Sequence, residues 1–189
     1  MQRPNLILAS SSPRRRQLLT EWGYSFEVNP PDESAECFPR RTERRESPAE
    51  LVARLAYQKA RDVANRVERG TVLGCDTVAE CQGQILGKPT NREHARQMLE
   101  LLRGQEHHVY SGLCLWQRPQ DVHRTEVEVT KLVMDAISHD ALAGYLSTGA
   151  WTGKAGAFGY QDGLDWVHIV EGSESNVVGL PMELLERML

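Results

Sequence analysis

The segment Leu6-Ile7-Leu8-Ala9-Ser10-Ser11-Ser12-Pro13-Arg14-Arg15-Arg16 constrains the fold of this chain more than any other. Its apolar run reads as a short buried strand over residues 5–9. Three hydroxyls follow, then a helix start with Ser12 as N-cap and Pro13 at the first helical position. Three arginines fall in the first turn, where the helix dipole is positive and backbone N–H groups point outward. An exposed cation there is disfavoured by roughly 0.3–1 kcal/mol. A strand turning directly into such a helix gathers amides, hydroxyls and guanidiniums at one place, and phosphate is the anion suited to neutralise them. The alternative is a solvated basic turn whose arginines reach back to acidic neighbours.

The rest of the chain alternates helical and strand patterns. The first helix stops at Gly23, and residues 28–46, rich in Pro, Glu and Arg, read as a loop. Ser47-Pro48-Ala49-Glu50 is a capping box opening a long helix with Leu51, Val52, Leu55, Val63 and Val67 on one stripe. Thr71 to Cys81 reads as a strand, Gln82-Gly83 as a turn and Gln84 to Lys88 as a short paired strand. Thr90-Asn91-Arg92-Glu93 reads as a second capping box, for a helix through Ala95, Met98, Leu99 and Leu102. Val109–Trp116 and Thr125–Met134 read as paired strands, Ser138 opens another helix, Trp166–Val170 is a strand and Pro181 begins the last helix. The expectation is an α/β fold, a mixed twisted sheet with flanking helices, in a single domain over residues 1–189.

The whole chain of 189 residues carries a net charge of −4, so any anion site must be a local concentration of cations. That balance argues against a nucleic-acid partner. No apolar run approaches the ~20 residues of a membrane span, and the N-terminal residues resemble neither a signal peptide nor an anchor. Cys37, Cys75, Cys81 and Cys114 have no zinc-like spacing and read as reduced thiols.

Asp76 interrupts the apolar stretch Val72-Leu73-Gly74-Cys75, where a carboxylate is costly unless paired, at a strand end or bound to metal. It reads either as a metal ligand or water-activating base, or as a bulge aspartate. Lys59 lies on the apolar stripe of its helix, either snorkelling to solvent or facing a cleft. Lys88, in Gly87-Lys88-Pro89, matters if Arg14 and Arg15 lie near it. In Lys154-Ala155-Gly156-Ala157-Phe158-Gly159-Tyr160-Gln161-Asp162-Gly163, the Gln161 amide both donates and accepts, which suits a nucleobase edge. The same segment also reads as a hairpin with Asp162-Gly163 as its turn. Glu33 and Glu36 are candidate Mg²⁺ ligands.

The blocks LILASSSPRRRQLL, LVARLAYQKA, GCDTV, ILGKP, KAGAFGYQDG and NVVGLP stand in the order of the Maf family of nucleotide pyrophosphatases, and the chain resembles that family from Leu6 to Pro181. The resemblance implies an elongated, two-lobed Maf/ITPase-like fold with a central cleft. It also implies Mg²⁺- or Mn²⁺-dependent hydrolysis of nucleoside triphosphates to monophosphate and pyrophosphate, by a cytoplasmic homodimer. Position by position, Ser10, Arg14 and Arg15 match the phosphate-binding loop, Lys59 the helix lysine, Asp76 the catalytic aspartate and Lys88 the lysine before proline; Ser12, beside Ser10, is also expected at the substrate. Glu36 matches the loop glutamate that shares the metal with Asp76, with Glu33 as its rival; Arg16 has no counterpart. Asp76-Thr77, Lys154 and Gln161 resemble the dTTP/UTP branch, with Thr77, Lys154 and Gln161 expected at the substrate. The alternatives are a 7-methyl-GTP pyrophosphatase and a nucleotide-binding regulator of cell division. Cys75, Ser111, Tyr160 and Asp162 depart from the pattern, which more usually has a small residue, Thr, Ile and Gly there.

Overall fold

The opening apolar run forms β1 (Leu6–Ala9), and all four of its side chains are buried. The structure, a computed structural model, describes residues 6–32 and 46–189; Glu33, Glu36 and Cys37 lie outside the described residues. After three residues the chain enters α1 (Pro13–Glu21), and it returns parallel to β1 as β2 (Phe26–Val28). α2 (Pro48–Ala64) starts with the expected capping box: the Ser47 hydroxyl accepts from the Glu50 N–H, and the Glu50 carboxylate accepts from the Ser47 N–H. β3 (Gly70–Cys81) and β4 (Gln84–Leu86) form a hairpin whose turn residues, Gln82 and Gly83, sit at φ 51° and 77°. α3 (Arg92–Leu102), β5 (Glu106–Arg118), β6 (Val122–Met134), α4 (His139–Ser147), β7 (Val167–Glu171), α5 (Glu174–Val178) and α6 (Met182–Met188) complete the described chain.

Among the described residues the strands form one seven-stranded sheet in the order β2-β1-β3-β5-β6-β7, with β4 added to β3. β1 is parallel to β2 and β3, and the remaining pairs are antiparallel, so the sheet is mixed. Alternation along the strands decides which helix covers which face. Leu6, Leu8, Leu73, Cys75, Leu113 and Leu115 pack with α1 and α6, whereas Ile7, Ala9, Val72, Cys114 and Trp116 pack with α2. Farther along β3, β5 and β6, a separate cluster joins Ala79, Val109, Leu132 and Met134 to Met98 and Leu99 of α3 and Leu142 of α4.

Small residues let α2 approach the sheet closely. A Cβ at Gly74 would collide with the Ala56 carbonyl, and one at Gly112 with the Val52 carbonyl. Cys75, Cys81 and Cys114 are buried free thiols, and burial pushes each pKa up, which makes them unreactive.

Several local expectations require correction. Ser12 is the N-cap of α1, but its side chain makes no cap hydrogen bond; its N–H instead donates to the Ser10 hydroxyl (3.2 Å). The second capping box is displaced by one residue. Asn91 caps α3 by accepting from the His94 N–H (2.8 Å), and the Glu93 carboxylate turns outward to Arg96. Residues 153–163 are not a hairpin: they form two 3-10 turns, Ala155–Ala157 and Tyr160–Asp162, with Gly156 and Gly163 at positive φ. β2 and α5 have too few residues to show a period, and sequence reasoning missed both.

Candidate active site

A cleft of about 350 Å³ opens where β1 ends. Ala9, the last residue of β1, pairs with Gly74, and β3 continues beyond it. Asp76 and Thr77 therefore stand past the end of β1, beside the Ser10–Ser12 turn and the start of α1. A crevice beyond the carboxyl end of a strand is the usual place for a ligand in an α/β sheet.

The strand alternation that aims Val72 and Gly74 at α2 also aims Asp76 there. Lys59 lies on the inward stripe of α2 between Leu55 and Val63, 5% exposed, and its ammonium donates to the Asp76 carboxylate at 2.6 Å. This pairing explains how a carboxylate is tolerated within a strand, and it selects the cleft-facing reading of Lys59 over snorkelling. The pair lies on the cleft wall, within reach of a ligand.

Arg14 and Arg15 diverge. Arg15 is buried; it donates from Nε to the Gly179 carbonyl (2.8 Å), from Nη1 to the Ser10 hydroxyl (3.1 Å) and from Nη2 to Thr77 Oγ1 (3.4 Å). Thr77 in turn shares a 2.8 Å hydrogen bond with the fully buried Ser111. Arg14 donates to the Gly153 carbonyl (2.9 Å), which ties α1 to the glycine-rich segment across the cleft. Burial, with the Arg15 charge beside it, pushes the Arg14 pKa down, and Asp162 works against that shift. The ionised guanidinium is thus under-compensated, which is the condition that an incoming anion relieves.

Ser10, Ser11, Ser12, Arg14, Arg15, Lys59, Asp76, Thr77, Lys88, Lys154 and Gln161 all line this cleft, so every sequence-predicted site residue among the described ones is brought together. Lys154 is buried and paired with Asp162, whereas Lys88 and Gln161 are exposed at the rim. A second cavity of about 530 Å³, which includes Trp22 and Glu174, shares Arg14 and Gln161 with the first. Arg16 is exposed and lines neither. Among the described lining residues are five cations, Arg14, Arg15, Lys59, Lys88 and Lys154, and one carboxylate, Asp76. In a chain of net charge −4, this is a local excess of cations of the kind an anion requires.

The chain matches the family described as Maf-like protein over residues 5–189. It belongs to that family. A dTTP/UTP pyrophosphatase of Rhodopirellula baltica is 53% identical over 98% of this chain and 81% of its own length. Proteins of the same name from Thermococcus onnurineus and Ruminiclostridium cellulolyticum are 40% and 38% identical, over 97% and 98% of this chain and 95% and 94% of theirs. The solved Ham1 protein of Staphylococcus aureus covers 70% of this chain and 72% of its own, with TM-score 0.47 and 14% identity, a likeness too slight to bear on function.

In this Maf-like chain the described residues offer a divalent cation only a partial donor set. The described residues contain no group of three His, Cys, Asp or Glu side chains able to cage a metal. One cleft carboxylate, Asp76, suits Mg²⁺ or Mn²⁺ arriving with a phosphate and completing its shell with water and phosphate oxygens. Sequence reasoning missed the carbonyls of Gly153 and Gly179, which hold the two arginines, and also Ser111 as the support of Thr77. Backbone acceptors leave no mark in a sequence, although Gly179, at φ 121°, sits inside the NVVGLP block.

Proposed function

We propose that this Maf-like chain hydrolyses nucleoside triphosphates, with dTTP and UTP as its preferred substrates, to nucleoside monophosphate and pyrophosphate. The observation that carries the reading is the gathering of five cations around one carboxylate at a helix start. The names of the relatives, over nearly the whole chain, support the same substrates. Arg14, Arg15, Lys59, Lys88 and Lys154 neutralise the triphosphate, assisted by the hydroxyls of Ser10 and Ser12. Water attacks the α-phosphorus, the bond to the oxygen bridging the β-phosphorus breaks, and pyrophosphate leaves with that electron pair. Asp76 orients the water and takes its proton, while the 2.6 Å contact with Lys59 fixes the carboxylate. Asp76 and Glu36 would hold the divalent cation, Mg²⁺ or Mn²⁺, which supplies charge neutralisation and a more acidic water when bound. Thr77 holds Arg15, and Gln161 reads the pyrimidine edge.

The reading extends, on the family resemblance, to a cytoplasmic homodimer; among the described residues no helix is long and apolar enough to cross a membrane. The test is Asp76→Asn, which keeps the shape of the side chain but makes a poor base and a poor ligand. Turnover is expected to fall by roughly 10²–10⁴-fold while nucleotide binding by calorimetry is largely retained. Near-normal kcat would reject the role of Asp76 in the chemical step.

A further inference from the structure

Lys154 is 9% exposed and lines the cleft, yet its ammonium is held by the Asp162 carboxylate, which is not part of the lining. Gly159 permits this closure, because a Cβ there would run into both Lys154 Nζ and Asp162 Oδ2. Asp162 also acts on Arg14, where it opposes the combined effect of burial and Arg15. One solvent-exposed carboxylate outside the lining therefore acts on two cations of the cleft.

We propose that Asp162 is a positioning residue that serves as the resting counter-ion of Lys154 and lowers the affinity of the cleft for phosphate chains. The proposal rests on the triphosphate reading above and adds to it a residue that competes with the substrate. With the cleft empty, Asp162 keeps a nearly buried ammonium paired and in place. When a triphosphate enters, its oxygens and the carboxylate contend for the same ammonium. The carboxylate takes the ammonium back as pyrophosphate departs, which favours product release.

The test is calorimetric binding of inorganic tripolyphosphate, which has no base and requires no turnover. Asp162→Asn preserves the shape and removes the charge, and Asp162→Ser removes the charge with a smaller side chain. Both are expected to bind tripolyphosphate roughly 3- to 10-fold more tightly than the wild type at low ionic strength, and Asp162→Glu should return affinity to the wild-type value. The ligand-free neutral variants should melt at lower temperature and gain more from tripolyphosphate than the wild type does. With dTTP, KM should fall by a larger factor than kcat changes. A purely structural role would lower the melting temperature and leave affinity unchanged or weaker, which overturns the proposal. If the wild type itself fails to bind tripolyphosphate, the triphosphate reading falls, and this inference with it. If the wild type binds and the neutral variants bind no better, only the role of Asp162 is lost.

Discussion

Gly74→Ala should damage catalysis from a position that touches no substrate. Gly74 faces α2, and a Cβ there would lie 2.7 Å from the Ala60 nitrogen and 2.8 Å from the Ala60 Cβ, and closer still to the Ala56 carbonyl. Ordinary contact begins near 3.4 Å and the Ala56 carbonyl would lie at 2.3 Å, so the helix must retreat by about 1.1 Å. The same helix carries Lys59, whose bond to Asp76 is 2.6 Å. A retreat of that size stretches the bond to about 3.7 Å, well beyond the 2.7–2.9 Å range of a charge-assisted hydrogen bond. Overpacking of this kind costs about 1–3 kcal/mol of stability, and a misplacement of about 1 Å at the reacting groups costs up to ~10²-fold in rate. Urea unfolding and steady-state pyrophosphate release measure the two effects separately. Gly144→Ala is the control: this α4 glycine meets nothing within 4 Å, so the change should be neutral or stabilising by up to about 1 kcal/mol. Wild-type unfolding midpoint and wild-type kcat in Gly74→Ala would refute the close-approach argument.

The remaining expectations concern pH, metal and base. His107 has no exposed surface, its Nε2 has no hydrogen-bond partner among the described residues, and burial lowers its pKa to about 4. The unfolded imidazole takes up a proton below about pH 6.5, and the native one only near pH 4. Stability contributed by the neutral ring is therefore intact above 6.5 and declines towards 4 by about 3 kcal/mol. His107→Leu should flatten that part of the pH–stability curve, and parallel curves would exclude His107 as its origin. Exhaustive chelation with EDTA should abolish hydrolysis and Mg²⁺ or Mn²⁺ should restore it; full activity without metal would remove the ligand roles of Asp76 and Glu36. Gln161→Glu should weaken a roughly 10–100-fold preference for dTTP and UTP over CTP, ATP and GTP, measured as kcat/KM. If 7-methyl-GTP outcompetes dTTP in the wild type, the base assignment fails.

The start of the fold was legible because its signals are local. A short apolar run, a proline at the first helical turn and the Ser47-Glu50 box each specify their own element, and β1, α1 and α2 follow. Lys59 was ambiguous because the stripe of α2 shows where the lysine points but not what it meets; its partner lies 17 residues later on another element. The two arginines illustrate the same limit. They are neighbours in sequence, yet Arg14 is anchored at Gly153 and Arg15 at Gly179, both backbone carbonyls more than 130 residues away. β2 and α5 were invisible because three and five residues carry no period, and tertiary contacts rather than propensity create them. Lys88 and Lys154 gained meaning only when the fold put both on the wall of one cleft.

On the proposed reading, the cation-lined cleft directs water to the α-phosphorus of a pyrimidine triphosphate. Hydrolysis of dTTP in ¹⁸O-labelled water, with products separated and analysed by mass, tests it most directly. The expected result is dTMP and pyrophosphate in equal amounts, with the label in dTMP. Formation of dTDP with labelled orthophosphate would place the attack at the γ-phosphorus and contradict the account; an absence of turnover with dTTP and UTP alike would leave the cleft as a binding site and contradict it as well.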